Sequence, residues 1–304
     1  MHVFVTGVTG YIGGTVAKKL LDAGHRVSGL VRAADKAEKL KKLGIEPVLG
    51  GLDDRTTVVD AARRADAAVD TADAEHLYVV DALLAALEGS GKRLIHTSGS
   101  SVIADRAVGE PSERVFHEDT PFQPLPERML RVAIDQMVLA AAHRGVHGVV
   151  LRPTMIYGRG AGLNPHSLQV PRLIGIARQC GRALHVGRGL NRWSNVHIDD
   201  VADAYLLALT EAPAGSLFYI ENGEAELRQV TQAISRLLGL GDRGHDWPVE
   251  EAVKTLGAGA YTSYGSNSRV SATKARRMLG WAPRRDDLLP EIEQGCYRDF
   301  PGRG

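Results

Sequence analysis

The chain has 304 residues, of which 44% are hydrophobic and 24% charged, with 37 Lys and Arg residues against 36 Asp and Glu residues. These are ordinary values for a globular protein, so they exclude a largely disordered chain. The balanced charge gives no electrostatic reason to expect a nucleic-acid partner or an anionic membrane surface.

The cysteines and the first residues of the chain bear on its compartment. Cys180 and Cys296 are far apart and form no CxxC pair, and the opening MHVFVTG is typical of a strand and not of a targeting segment. No apolar run approaches the roughly 18 residues that span a bilayer. We therefore expect a soluble, cytoplasmic protein with no membrane partner.

Short apolar runs alternate with amphipathic stretches through the first half of the chain. The runs predict strands at residues 2–7, 25–31, 45–50, 66–71, 93–99 and 148–156, with helices between them. This alternation predicts an α/β fold with a doubly wound, parallel, Rossmann-type sheet. Residues 1–157 form the predicted dinucleotide-binding domain and residues 158–304 mostly a smaller C-terminal substrate lobe, with residues 193–212 returning to the first domain.

The sharpest motif is TGVTGYIGG at residues 6–14, which follows the first predicted strand and opens the first helix. Gly7 permits a tight turn, Gly10 lets the backbone approach a pyrophosphate, and Gly13 lets the helix pack closely on the strand. The amides at the start of the helix suit phosphate groups. In this strand–turn–helix setting, the glycines predict a dinucleotide-binding site.

The end of the second strand bears on the choice between NAD and NADP. Chains that prefer NAD place an acidic residue here, which bonds the ribose 2′-hydroxyl. This strand is followed by Arg32, with Lys36 one helical turn later. A guanidinium suits a 2′-phosphate by charge and by bidentate geometry, so we predict NADP(H) as the cofactor. Asp35 could reach the ribose instead.

Four segments, TGVTGYIGG, TSGSS, LRPTMIYGRG and NRWSNVHIDDVADA, resemble those of the extended short-chain dehydrogenase/reductase superfamily. The nearest resemblance is to its atypical members, which are NAD-dependent epimerase/dehydratase-like or 3-beta-hydroxysteroid-dehydrogenase-like. The likeness runs from Met1 to the LGWAP segment at 279–283. It implies cofactor contacts at Gly7, Thr9, Gly10, Tyr11, Ile12, Gly13, Leu52, Asp53, Thr71, Ala72, Ser98, Pro153, Thr154 and Ile156.

The catalytic pair of that superfamily, a Tyr followed four residues later by a Lys, is absent. Alignment on the helical pattern puts Glu127 in the Tyr position and Arg131 in the Lys position, with Asp135 four residues further on. In one interpretation, Arg131 binds the cofactor ribose and Glu127, Tyr157 or His166 supplies a proton.

Two other interpretations of the missing pair remain open. Hydride transfer could need little acid assistance, or the substrate could be an imine or an activated alkene. Alternatively, the three charges form an i, i+4 ion ladder in a protein that binds cofactor without turnover.

Hydroxyl side chains follow the fifth strand, where open α/β sheets place their ligands. The resemblance puts the substrate-binding hydroxyl near Gly99 or Ser100, so Ser100 is the candidate catalytic residue and Ser98 the next.

Further along, Arg188 or Arg192 could meet an anionic or polar substrate group. His197 is expected to cap a helix. No metal site is predicted, because no Cys/His cluster is present.

These patterns predict an NADP(H)-dependent oxidoreductase that transfers hydride to a carbonyl, C=N or C=C group of a small molecule. A non-catalytic NADP(H)-binding redox sensor and a sugar-nucleotide epimerase or dehydratase are the alternatives. The resemblance also implies a homodimer formed through the helices at 74–89 and 127–143.

Overall fold

Strands and helices alternate along the first half of the chain in a computed structural model, which describes residues 1–300. The strands are β1 (His2–Thr6), β2 (Arg26–Val31), β3 (Glu46–Leu49), β4 (Ala67–Asp70), β5 (Arg93–Thr97), β6 (His147–Pro153), β7 (Met155–Tyr157), β8 (Leu184–Val186), β9 (Arg192–His197), β10 (Ser216–Ile220), β11 (Glu224–Glu226) and β12 (His245–Trp247). The helices are α1 (Tyr11–Asp22), α2 (Ala34–Lys42), α3 (Arg55–Arg64), α4 (Leu77–Leu87), α5 (Met129–Ala140), α6 (Gln169–Cys180), α7 (Ile198–Ala208), α8 (Leu227–Leu237), α9 (Val249–Leu256), α10 (Thr273–Leu279) and α11 (Leu288–Gln294).

The central sheet has seven parallel strands in the order β10-β6-β5-β4-β1-β2-β3. The chain starts at β1, adds β2 and β3 on one side, and then adds β4, β5 and β6 on the other side. The strand order therefore reverses between β1 and β4, which pair directly with Val3 opposite Ala67. This is the doubly wound, Rossmann-type sheet that the sequence predicts, and the prediction is confirmed.

Alternate residues of each central strand face different helix layers. Val3 and Val5 of β1 belong to a core shared with α1 and α7, whereas Phe4 belongs to a core shared with α3, α4 and α5. All three side chains are fully buried. Because both faces of the sheet are covered, the strands read in sequence as continuous apolar runs.

The second half of the chain divides between the central sheet and a smaller lobe. β10 adds an edge strand beside β6, and α7 packs against α1. β7, β9 and β11 form a three-stranded sheet, and β8 and β12 a two-stranded one. With α6, α8, α9 and α11 they surround a third core. Of the segment expected at 193–212 to return to the first domain, α7 does so, β9 lies in the small sheet, and the returning strand is β10.

The helix expected over residues 127–143 is interrupted at both ends. A 3₁₀ turn at Pro126–Arg128 precedes α5, and another at Ala141–Arg144 follows it. Glu127 and Arg131 therefore do not share one continuous α-helix. No helix within residues 1–300 combines the length and apolarity needed to cross a membrane.

Candidate functional site

A cleft of about 1250 Å³ lies along the carboxyl ends of the central strands. Its lining includes residues 9–12 after β1, residues 71–72 after β4, residues 98–101 after β5 and residues 153–156 at the end of β6. The lobe contributes a further wall that includes Trp193. This is the switch point at which open α/β sheets bind ligands.

The glycine turn after β1 is packed too tightly for side chains at two of its positions. Gly7 has φ of +69°, and a Cβ there would lie 2.6 Å from the backbone carbonyl carbon of Thr71. A Cβ on Gly13 would lie 2.4 Å from the carbonyl oxygen of Gly7. Gly10, in contrast, faces the cleft. The turn therefore brings bare backbone to the cleft surface.

The start of α1 supplies amide donors to the same wall. Gly14 is the first residue of the helix whose N–H reaches a helical acceptor, the carbonyl of Gly10, so the preceding amides have no partner within the helix. The helix has no side-chain cap, and Tyr11 and Ile12 line the cleft. Backbone donors at a helix N-terminus suit a pyrophosphate, so this turn fits a dinucleotide.

The phenol of Tyr11 is a structural tie and not a free acid. Its hydroxyl donates to the carbonyl oxygens of Tyr157 (3.0 Å) and Gly158 (2.9 Å). Burial, together with the nearby Tyr297, raises the pKa of this phenol well above its ordinary value. The contact fastens the glycine turn to the loop that follows β7.

Basic side chains gather at the end of the cleft next to β2. Lys36 and Lys39 of α2 line the cleft. Arg32, which follows β2, is exposed and is not among the lining residues. Leu52 and Asp53, expected near the adenine, are not among the lining residues. Asp53 is 86% exposed, and its carboxylate lies 3.3 Å from His76 Nε2.

The three charges at positions 127, 131 and 135 do not pair with one another, so the ion ladder, one of the three interpretations of this segment, is absent. Glu127 accepts a hydrogen bond from Arg106 (2.6 Å) and is not among the residues that line the cleft. It lies in the 3₁₀ turn before α5, where the i, i+4 spacing of an α-helix does not apply. The structure therefore does not bring Glu127 to the site where it was expected to act.

Arg131 does reach the cleft. Its Nη2 donates to Glu75 (2.9 Å), its Nη1 donates to Ser101 Oγ (3.1 Å), and its Nε is buried without a partner. The guanidinium lies against Gly99, where a Cβ would be 3.3 Å from Nη1. A fixed cation thus borders residues 153–156, which the resemblance places around the nicotinamide.

Asp135, the third charge, is fully buried and anchors α5 to the sheet. Its Oδ2 accepts hydrogen bonds from Nε (2.9 Å) and Nη2 (2.7 Å) of Arg152 in β6, and from Ser98 Oγ (2.9 Å). Arg152 Nη1 also donates to the Tyr219 hydroxyl (3.1 Å). Ser98 therefore lines the cleft while its hydroxyl proton is directed into the protein.

A second buried pair lies beside this anchor. His96 Nδ1 is 2.8 Å from Asp70 Oδ2, and His96 Nε2 is 3.8 Å from the second oxygen of Asp135. Burial raises the pKa of Asp70, but hydrogen bonds from His96 and Thr6 outweigh it, and the net pKa is below the ordinary value. Sequence reasoning missed this network, although Asp70, His96 and Arg152 are polar residues inside otherwise apolar strands.

Hydroxyl groups from the lobe form part of the cleft wall, and sequence reasoning did not find them either. Ser100 Oγ is 2.8 Å from Ser268 Oγ. The other lining hydroxyls of the lobe are those of Ser167, Ser194, Thr262, Ser263 and Ser266. The polar run YTSYGSNS at residues 261–268 is the sequence feature that could have indicated these hydroxyl groups.

The other proton donors considered from the sequence differ in position. Tyr157 is fully buried, exchanges hydrogen bonds with Asp287, and is not among the lining residues. His166 lines the cleft, and its ring packs edge-on against Phe300 at 4.9 Å between centroids. His197 Nδ1 accepts the amide of Asp199 (3.2 Å), which confirms the predicted helix cap.

The arginines expected to meet an anionic substrate group lie elsewhere. Arg188 pairs with Glu110 (3.2 Å), and Arg192 lies 3.6 Å from Glu113 and 3.8 Å from Glu224. Neither arginine is among the lining residues. Nearby carboxylates therefore already neutralise both charges.

No group of three or more His, Cys, Asp or Glu residues within the described part of the chain could hold a metal ion.

Comparison with known proteins identifies relatives over most of the chain. The sequence model of the NAD dependent epimerase/dehydratase family matches residues 3–220. The chain is 28% identical to 4-hydroxy-2-methyl-3-oxo-4-farnesyl-3,4-dihydroquinoline-1-oxide ketoreductase of Stigmatella aurantiaca, over 93% of this chain and 92% of the relative. It is 31% identical to 2-alkyl-3-oxoalkanoate reductase of Stenotrophomonas maltophilia, over 74% of this chain and 71% of the relative.

Solved structures give the same architecture. dTDP-glucose 4,6-dehydratase from Bacillus anthracis, in complex with NAD, matches with a TM-score of 0.78 at 18% identity, covering 99% of this chain and 97% of that chain. The chain belongs to the NAD dependent epimerase/dehydratase family, which confirms the superfamily that its motifs resemble. It is therefore a member of an enzyme family of the oxidoreductase type that uses a nicotinamide dinucleotide.

Proposed function

We propose that the protein is an NADP(H)-dependent reductase that transfers hydride to a carbonyl, or a related C=N or C=C group, of a small molecule. The observation that carries the proposal is the continuity of the cleft. One cavity joins the glycine turn after β1, through Arg131, to a pocket bordered by Trp193 and lobe hydroxyls. Two of the relatives described above are named as reductases of oxo compounds.

The residues of the turn would hold the cofactor. The amides of Tyr11 and Ile12 would bind the pyrophosphate, and Thr154 and Ile156 would border the nicotinamide. Arg131 would take the ribose-binding part of the missing Lys, because it is a permanent cation next to this segment. When bound, the reduced nicotinamide supplies hydride; the chain itself orients the two reactants and supports charge on the substrate oxygen.

Charge at the β2 end of the cleft supports NADP(H) over NAD(H). Lys36 and Lys39 line this end, and Arg32 follows β2 just outside the lining. Asp35 is 69% exposed, with its carboxylate 3.9 Å from Lys39. A 2′-phosphate would meet positive charge and guanidinium geometry here. An unphosphorylated ribose would not need this set of cations.

The charges in the remaining lining argue against a substrate that carries a diphosphate. No Asp or Glu is among the lining residues, and the cations are Lys36, Lys39, Arg131 and Arg172. Arg131 pairs with Glu75, a carboxylate that it shares with Arg128, and Arg172 is exposed and donates to the carbonyl of Thr255. A sugar nucleotide would bring a diphosphate, and in this half of the described lining Arg172 is the one cation without a carboxylate partner.

The proposal is tested by NADPH consumption over a panel of neutral aldehydes, ketones, imines and enones, with UDP-glucose as the charged comparison. We expect turnover with at least one neutral carbonyl compound and no conversion of UDP-glucose. Tight NADPH binding with no turnover on the panel would favour a redox sensor, an alternative that the missing Tyr and Lys support. Conversion of UDP-glucose would favour an epimerase.

We also propose that the protein is a homodimer, paired through α4 and α5. These helices pack against each other and expose large apolar side chains: Leu77 (38%), Tyr78 (73%), Met129 (60%) and Leu130 (47%). Solution scattering should give more than the 32.7 kDa of one chain, and Tyr78→Glu with Met129→Glu should restore the single-chain mass. A wild-type mass of 32.7 kDa would contradict the proposal.

The proposed compartment is the cytoplasm. Cys180 and Cys296 are both free thiols, as is usual in a reducing environment. Cell fractionation tests this location, and recovery from an oxidising compartment would contradict it.

A further inference from the structure

Three serines follow β5 in the cleft lining, and two of them are committed to protein partners. Ser98 Oγ donates to Asp135 (2.9 Å). Ser100, which is 5% exposed, shares its hydrogen bond with Ser268 (2.8 Å). Ser101 is the remaining hydroxyl on this segment.

The Ser101 hydroxyl is an acceptor in its one hydrogen bond. Arg131 Nη1 donates to its Oγ at 3.1 Å, and no group within residues 1–300 accepts the hydroxyl proton. A hydroxyl that accepts from a guanidinium is polarised and becomes a stronger donor to a third group. Ser101 is half-buried and borders the cleft, so its proton is available there.

Arg131 is held in the position that this polarisation requires. Glu75 accepts from its Nη2 at 2.9 Å, and the guanidinium packs against Gly99. Because Gly99 has no side chain, the cation occupies the space next to one of the two positions at which the family presents its substrate hydroxyl. The cation therefore lies beside Gly99, and the hydroxyl that it contacts is that of Ser101, two residues later.

We propose that Ser101, polarised by Arg131, is the catalytic proton donor that replaces the missing Tyr. This inference rests on the proposed reductase function. Hydride adds to the carbonyl carbon with its two electrons, and the electron pair of the C=O π bond moves to oxygen. That oxygen takes the Ser101 proton, and Oγ then regains a proton from a hydronium ion of the solvent, which leaves water. One NADPH and one proton are consumed for each alcohol formed.

Tyr11 and His166 carry the one phenol and the one imidazole of the described lining, and both are considered for this role. The single proton of Tyr11 is shared between two backbone carbonyls, so it is not available to a substrate. His166 lies on the lobe side of the cleft against Phe300, whereas Arg131 lies on the sheet side, beside Gly99. His166 therefore serves as the rival in the test.

The test compares Ser101→Ala, Ser101→Thr, Ser100→Ala and His166→Gln for kcat with NADPH and for the dissociation constant of NADPH. The probes are acetophenone, ethyl acetoacetate and any faster ketone of the panel. Ser101→Ala should lower kcat about 100-fold, as loss of one donor to a developing oxyanion does. Its NADPH affinity should stay within about twofold of wild type, and Ser101→Thr should restore most of the rate.

A spectroscopic readout separates this inference from turnover. In the complex with NADP⁺, the infrared C=O stretch of the same ketone, ¹³C-labelled, should lie at lower frequency in wild type than in Ser101→Ala, because the hydrogen bond weakens the C=O bond. Equal frequencies and an unchanged kcat would overturn the role of Ser101, and so would a loss confined to Ser100→Ala or His166→Gln. A wild type that binds no ketone would overturn the proposed function and this inference with it.

Discussion

Arg152 in β6 donates two hydrogen bonds, of 2.9 and 2.7 Å, to one carboxylate oxygen of Asp135 in α5, and both residues are almost completely buried. The pair fixes α5 to the central sheet one helical turn after Arg131. It therefore determines where the Arg131 guanidinium meets the cleft.

Removing the carboxylate should destabilise the fold strongly. In Asp135→Ala the Arg152 charge remains buried without its partner, which costs about 3–5 kcal/mol of unfolding free energy. The exposed neighbour Gln136 provides the control, since Gln136→Ala should change stability by no more than about 0.5 kcal/mol. Urea unfolding measures both variants. A loss below about 1 kcal/mol in Asp135→Ala would show that the pair does not anchor the helix.

Alanine substitutions at two glycines with positive φ distinguish the cost of a left-handed backbone from the cost of a steric clash. Gly7 (φ +69°) and Gly24 (φ +80°) both favour glycine, but a Cβ would clash only at Gly7, 2.6 Å from the Thr71 backbone. Gly24→Ala should cost about 1–2 kcal/mol from the left-handed conformation alone. Gly7→Ala should cost more and should also weaken NADPH binding, as thermal unfolding and a binding titration would show. Equal effects of the two substitutions would argue against the packed turn.

Cofactor preference should depend on the basic residues next to β2. The double variant Arg32→Ala with Lys36→Ala should raise the NADPH dissociation constant about tenfold or more, since hydrogen bonds to charged groups contribute roughly 1.5–3 kcal/mol. NADH affinity should stay within about twofold. Arg26→Ala, an exposed residue at the opposite end of β2, is the control. A parallel loss of NADH affinity would mean that these residues do not recognise the 2′-phosphate.

Acid should weaken the fold through His197. Burial lowers the pKa of this imidazole below its ordinary value near 6.5, and its neutral Nδ1 caps α7. As pH falls below about 6.5, the unfolded chain takes up the proton before the folded protein does, so the unfolding free energy falls. The contribution of His197 to the unfolding free energy is complete above the pKa that His197 has in the unfolded chain. It is lost progressively as the pH falls toward the lower pKa of His197 in the folded protein.

The His197 effect is measured by urea unfolding at pH 7 and pH 5.5 in wild type and in His197→Asn, which keeps a capping acceptor but cannot titrate. The variant should lose less stability between the two pH values. The pKa values of His147 and His185 are also lowered by burial, but both remain in the variant and cancel in the comparison. An identical pH dependence in the two proteins would contradict this assignment.

The features that could be predicted from the sequence are those that local patterns encode. A run of apolar residues identifies each strand of a sheet that is covered on both faces. The glycine spacing in TGVTGYIGG identifies the turn, because positive φ at Gly7 and close packing at Gly13 both require glycine. The partners of charged side chains are not local. Arg131 binds Glu75, 56 positions away, and Ser100 meets Ser268, 168 positions away.

The opening of α5 shows the same limit over a short distance. Helical spacing allows a ladder through Glu127, Arg131 and Asp135, one of the three interpretations of the sequence, but the 3₁₀ turn at Pro126–Arg128 breaks the register between Glu127 and Arg131. Asp135 is then buried by the sheet, where Arg152 outcompetes any neighbour on the helix. The ladder fails because tertiary contacts offer each charge a closer partner.

Energy transfer from tryptophan to bound NADPH tests most directly whether the cleft holds a nicotinamide dinucleotide. Trp193 lines the cleft, whereas Trp281 is buried beneath α7 and α10. NADPH should give a saturable sensitised emission that falls sharply in Trp193→Phe and persists in Trp281→Phe, with NADH binding more weakly. No saturable signal and no heat of binding with either nucleotide would contradict the account.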